Sequence, residues 1–233
     1  MMQKEKITAV VLAGGSGKRM GKACKKQYLE LCGRPVLSYS LKAFQESSVD
    51  EIILVSNEAE YCQREIIEKY SFNKVVKITS GGKERYDSVY QGLLAAEGCR
   101  YVLIHDGARP FLTHDIIQAS IDAVRKYQAC VVGMPVKDTI KIADCSQFAK
   151  ETPERDRVWQ IQTPQTFDYS LIRKAYEKIM QEKPVGITDD SMVVEYSQFA
   201  KIKLIKGSYK NIKITTSEDL IVAEAFLQNH ITF

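Results

Sequence analysis

Just after the apolar run Ile7-Thr8-Ala9-Val10-Val11, the chain reads LAGGSGKRMGKACKKQY through Tyr28, crowding glycines and cations into one short stretch. A glycine-rich turn leaving a strand lets backbone N–H groups approach an anion, and a following helix adds its positive end. The chemistry this suits is phosphate binding. A nucleoside triphosphate carries about four negative charges near neutral pH, and breaking its α–β bond puts more charge on the leaving pyrophosphate. Fixed cations such as Arg19 and Lys26 would lower that barrier. Two common phosphate loops are excluded: the P-loop would need Gly at Leu12 and Ser or Thr at Arg19, and the dinucleotide fingerprint would need Gly at Met20. A basic surface loop with no ligand would share the composition, but clustering at the carboxyl end of a first strand favours a phosphate site.

A second constellation closes another apolar run, YVLIHDGARP, with Asp106, Gly107 and Arg109. A carboxylate there can hold a metal or a ribose hydroxyl, a glycine leaves a ligand room, and an arginine can grip a phosphate in bidentate fashion. Turn punctuation explains the same residues equally well by pattern. SGGKERYDSV (80–89) sets Gly82 before Ser88, a turn that could read a pyrimidine or simply enter a helix. Alternation in NIKIT leaves Lys213 opposite Ile212 and Ile214 as a solvated strand lysine, and Arg155 sits in a charge run. His105, His114 and His230 show no metal-ligand spacing, and no G-x-S-x-G elbow exists.

These residues need a scaffold. At 233 residues and 45% hydrophobic content the chain can bury a full core, and its net charge of +4 with 29 acidic residues does not advertise a nucleic-acid surface. Six scattered cysteines without a C-x-x-C pair read as free thiols of the cytoplasm, and no apolar stretch reaches membrane-spanning length. Apolar runs at 7–12, 51–55, 75–78, 101–105 and 130–136 predict strands buried on both faces. Leu37, Leu41 and Phe44, then Val89, Leu93 and Ala96, then Ile116, Ile117, Ile121 and Val124 recur with helical period. The alternation predicts an α/β fold, a Rossmann-like mostly parallel sheet with helices on both faces. Residues 136–162 break the rhythm and predict an inserted pair of strands, an arm projecting from a single domain spanning 1–233. Helices are expected at 169–181 and 188–196, with Thr188 as N-cap, then strands at 201–205 and 211–214 and a last helix at 220–228.

The segments IHDGARPF (104–111), PVKDTIK (135–141), VWQIQTPQTF (158–167), TDDSMVVEY (188–196) and NIKITTSEDL (211–220) follow the glycine loop in order. Together they resemble the 2-C-methyl-D-erythritol 4-phosphate cytidylyltransferase family, among the nucleotidyltransferases that attach a nucleoside monophosphate to a sugar or alcohol phosphate. The resemblance covers essentially the whole chain. It implies a cytoplasmic homodimer using CTP, the polyol phosphate and Mg²⁺, with no nucleic-acid or membrane partner. It places Ala13, Gly14, Gly15, Gly17, Gly82, Ser88, Asp106 and Gly107 around CTP, with Asp106 also beside the metal. It makes Arg109, Thr139, Thr163 and Thr188 substrate contacts and Arg19, Lys26, Arg155 and Lys213 catalytic, the arm serving the neighbouring subunit. One departure is Lys25, where the family usually has Pro before K-Q-Y. A ribitol 5-phosphate cytidylyltransferase and a non-catalytic nucleotide-binding regulator are the rival readings.

Overall fold

The computed structural model describes residues 5–14 and 25–228, so Gly15, Gly17 and Arg19 lie outside the described residues. In chain order the elements are β1 Ile7–Leu12, β2 Glu30–Leu31, β3 Arg34–Pro35, α1 Val36–Gln45, β4 Glu51–Val55 and α2 Ala59–Tyr61, which continues as π-helix over Cys62–Glu68. Then come β5 Val75–Thr79, α3 Arg85–Ala95, β6 Tyr101–Asp106, α4 His114–Tyr127, β7 Ala129–Pro135, β8 Ile142–Ala143 and β9 Ala149–Glu151. The chain ends with β10 Trp159–Asp168, α5 Tyr169–Glu182, α6 Asp190–Ser197, β11 Lys203–Lys206 and α7 Ser217–Gln228.

Seven strands form one sheet in the order β11-β7-β10-β6-β1-β4-β5. All pairings are parallel except those of β10, which runs antiparallel to both β6 and β7. Alternate side chains split the core in two. Val11, Ile52, Leu54 and Leu103 join Leu37, Leu41, Phe44, Ile117 and Ile121 on one face. Val10, Ile53, Val102 and Ile104 join Val89, Leu93, Ile172, Tyr176 and Val193 on the other. The period of two along each strand therefore matches helices on both faces, α1 and α4 against α3, α5 and α6.

Three expectations need correction. β5 is an edge strand with Val76 58% exposed, not a strand buried on both faces. Residues 211–214 form no strand; they lie in an irregular segment pinned where Ile214 N–H donates to Ala108 O at 2.8 Å. The arm is shorter than 136–162, because Trp159 already pairs with Pro135 in the main sheet. β10 escapes sequence reading because Pro164 interrupts it, and Pro in a strand sits at edges or irregularities; here the register shifts between Ile161 and Gln165. Between the two strands every residue from 137 to 157 except Pro153 is exposed, and β8 and β9 pair only with each other. Among the described residues no helix is long and apolar enough to cross a membrane.

Candidate active site

Asp106 and Leu12 are paired as the last residues of adjacent parallel strands. The sheet order reverses between β1 and β6, and ligands of open α/β sheets bind beyond the carboxyl ends of strands at such a point. The glycine loop and the Asp106 turn thus leave the sheet side by side. Gly107 N–H donates to Leu12 O at 2.9 Å, and a Cβ at Gly107 would lie 2.7 Å from Leu37 Cδ1 and 2.9 Å from that carbonyl. Only glycine fits. Gly107→Ala is expected to cost about 1–3 kcal/mol of stability, read as a lower urea midpoint, because the carbonyl cannot yield as a side chain can. An unchanged midpoint would contradict this packing.

Three cations surround the Asp106 carboxylate. Lys213 Nζ lies 2.7 Å from Oδ2, Arg109 Nε lies 3.8 Å from Oδ2, and Arg85 Nε lies 3.4 Å from Oδ1. Burial pushes this carboxyl's pKa up, but Arg85, Lys213 and Arg109 together hold it well below the usual carboxylate range. Asp106 is therefore anionic at any physiological pH. Arg109 Nη1 also donates to Asn211 O at 2.8 Å, while its buried Nε has no hydrogen-bond partner among the described residues.

Behind the carboxylate a neutral relay fixes the backbone. Asp106 N–H donates to Thr163 Oγ1 at 3.1 Å, and that hydroxyl lies 2.9 Å from His105 Nδ1. His105 Nε2 lies 3.3 Å from Arg109 O, so Nε2 carries the proton and Nδ1 accepts from Thr163. Burial pushes the His105 pKa down to about 4, more than the opposing charge of Asp106, so the ring stays neutral near pH 7. Thr163 is itself buried, and its hydroxyl braces the Asp106 backbone.

The expected nucleotide residues also meet. A Cβ at Gly14 would sit 3.7 Å from Ser88 Oγ and 3.8 Å from Gly81 Cα, so the end of β1 faces the turn before α3. Gly82 N–H donates to Ser88 Oγ at 3.0 Å, and Ser88 Oγ donates to Glu84 O at 3.2 Å, closing that turn. Glu84 and Asp87 form a capping box at the start of α3. Lys26 opens a short 3₁₀ turn, Lys26–Tyr28, anchored where Gln27 Nε2 donates to Ala13 O at 2.5 Å and Tyr28 OH meets Ser56 Oγ at 2.7 Å. Lys25 takes φ −73°, a value proline would also adopt, and its ammonium pairs with Glu58.

Three expected residues make no hydrogen bond or ion pair with this cluster. Thr139 and Arg155 are exposed on the arm, and Thr188 is exposed, its hydroxyl directed at Met192 Sδ, 3.1 Å away. Asp189, not Thr188, is the N-cap of α6, its side chain accepting from Met192 N–H. Sequence reasoning missed Arg85, whose Nη1 and Nη2 reach Asp190 Oδ1 and Oδ2 at 2.8 and 2.7 Å. Its only signal was a charge in the KERYDS run next to residues already singled out.

A divalent cation finds limited footing in the chain itself, since no group of three or more His, Cys, Asp or Glu is placed to hold one among the described residues. One carboxylate fits the arrangement in which Mg²⁺ is held chiefly by substrate phosphates and water.

A family model described as 2-C-methyl-D-erythritol 4-phosphate cytidylyltransferase matches residues 7–229. A protein so named from Caldanaerobacter subterraneus subsp. tengcongensis is 51% identical over 226 residues, covering 95% of this chain and 99% of the relative. Its counterpart from Lachnospira eligens is 52% identical over 225 residues, covering 95% of this chain and 99% of the relative. The crystal structure of 4-diphosphocytidyl-2C-methyl-D-erythritol synthase from Anaerococcus prevotii superposes with a TM-score of 0.86 at 38% identity, covering 96% of each chain.

Proposed function

This chain belongs to the 2-C-methyl-D-erythritol 4-phosphate cytidylyltransferase family, and from that premise we propose how its residues divide the work. The reaction joins CTP and 2-C-methyl-D-erythritol 4-phosphate into 4-diphosphocytidyl-2-C-methyl-D-erythritol with release of pyrophosphate. The ribitol and regulator readings are thereby set aside. The observation that supports the assignment of roles is the cluster of Lys213, Arg109 and Arg85 around Asp106 at the sheet's switch point.

The substrate phosphate is already anionic near pH 7, so one of its oxygens attacks the α-phosphorus in line without a strong base. A P–O bond forms to the polyol phosphate as the bond to the β-phosphate oxygen breaks, and the electron pair leaves with pyrophosphate. Catalysis then reduces to positioning and charge stabilisation. Lys26 and Arg19 take the charge growing on the pyrophosphate. Arg109 and Lys213 receive the polyol phosphate, with Arg155, Thr139 and Thr188 completing that side. Asp106 would hold a divalent cation, Mg²⁺, which would supply charge neutralisation of the triphosphate. Arg155 and Thr139 come from the arm of a second copy, making the enzyme a cytoplasmic homodimer without nucleic-acid or membrane partners.

The base lies between Ala13-Gly14 and the Gly82–Ser88 turn. Those two segments adjoin, since a Cβ at Gly14 would sit 3.7 Å from Ser88 Oγ, so they form one tight backbone wall against which a pyrimidine is taken and the larger purines are excluded. CTP is expected to exceed ATP and GTP in kcat/KM by about 10³-fold or more, with UTP the best of the wrong nucleotides because it matches in size. Pyrophosphate release with each nucleotide measures this, and comparable use of ATP would remove the base from this pocket.

A further inference from the structure

Arg85 is the first residue of α3, and its guanidinium ties that helix to two other elements, α6 and β6. Its two terminal nitrogens form a fork on Asp190, the first residue of α6 and fully buried. Its Nε faces Asp106 at the end of β6. Asp190 Oδ1 also accepts from Tyr176 OH at 2.5 Å, on α5. A buried carboxylate persists only when paired and hydrogen-bonded, and a planar bidentate fork fixes orientation as well as charge. A purely structural Arg–Asp pair would need nothing from the third nitrogen, yet that nitrogen is spent on the carboxylate at the centre of the site. Ser88 follows Arg85 by three residues on the same helix, so any tilt of α3 moves Ser88 and the Gly82 N–H bound to it.

We propose that Arg85 is a positioning residue for nucleotidyl transfer: through Asp190 and Tyr176 it locks the start of α3, and with it the Gly82–Ser88 turn, in register with Asp106. The selectivity part rests on that turn facing the base; the turnover part does not.

Arg85→Lys keeps the charge but replaces the fork with a single ammonium. The folded variant is expected to lose about 10²-fold in kcat, with the CTP-over-UTP ratio in kcat/KM narrowing about tenfold. A second variant separates positioning from stability. Arg85→Met, Tyr176→Phe and Asp190→Leu combined remove every polar member of the brace together, a change that often leaves stability near wild type. It is expected to melt near the wild-type midpoint and remain about 10²-fold slow. Wild-type kcat in either folded variant would overturn the proposal. Ser88→Ala keeps the two readings distinct. If it leaves the CTP-over-UTP ratio untouched while Arg85→Lys still lowers kcat, the base assignment has failed and the link from Arg85 to Asp106 stands.

Discussion

Lys26→Ala is expected to lower kcat about 10²- to 10³-fold while the melting midpoint moves by no more than a few degrees. The triphosphate is anionic in the ground state, but the bridging oxygen released to pyrophosphate gains charge only as the α–β bond breaks, so a cation aimed there acts on kcat more than on KM. Lys26 sits in a turn whose neighbours are held independently of its own side chain, Gln27 to the Ala13 carbonyl and Tyr28 to Ser56. Truncation removes the charge, while the bonds of Gln27 and Tyr28 continue to anchor the turn. Steady-state kinetics with both substrates varied, beside a thermal melt, reads the two effects separately. Near-normal kcat would take Lys26 out of the mechanism, and a loss confined to the KM of CTP would make it a ground-state anchor.

Much of the scaffold could be read from the sequence because periodicity reports burial directly. Val10 and Val11 fall into different core clusters, as do Ile52 and Ile53, and that alternation is what a strand covered on both faces looks like. The end of β1 at Leu12 and of β6 beside Asp106 followed from the apolar runs alone. β10 was illegible for a physical reason: Pro164 cannot donate to a ladder, and the shift that accommodates it breaks the alternation. Lys213 was legible as a residue but not as a partner of Asp106, because a separation of more than a hundred positions leaves no local trace. The same holds for Arg85 and Asp190. Their pairing depends on α3 and α6 starting on the same face of the sheet, which no short-range pattern encodes. Thr163 was singled out only through the resemblance, and its bonds to Asp106 N–H and His105 are tertiary contacts that no local pattern displays.

The arm raises the question of what covers it. Phe148, Ile142 and Ile140 are 72%, 46% and 36% exposed, and Arg155 stands at its base without joining the Asp106 cluster. In the proposed homodimer a two-fold axis buries these apolar side chains and carries Arg155 and Thr139 to the neighbour's site. Arg155→Ala alone is then expected to be as damaging as Lys26→Ala.

Mixing the two variants tests this most directly. Co-expressed Lys26→Ala and Arg155→Ala chains pair at random into about half heterodimers, and each heterodimer has one site carrying both changes and one site carrying neither. Turnover in the mixed sample should recover to roughly a quarter of wild type although each parent is nearly inactive. If both residues served the site of their own chain, every heterodimer site would keep one lesion. Mixing would then restore nothing, and that result, in a sample shown by mass spectrometry to contain heterodimers, would contradict a site built from two chains.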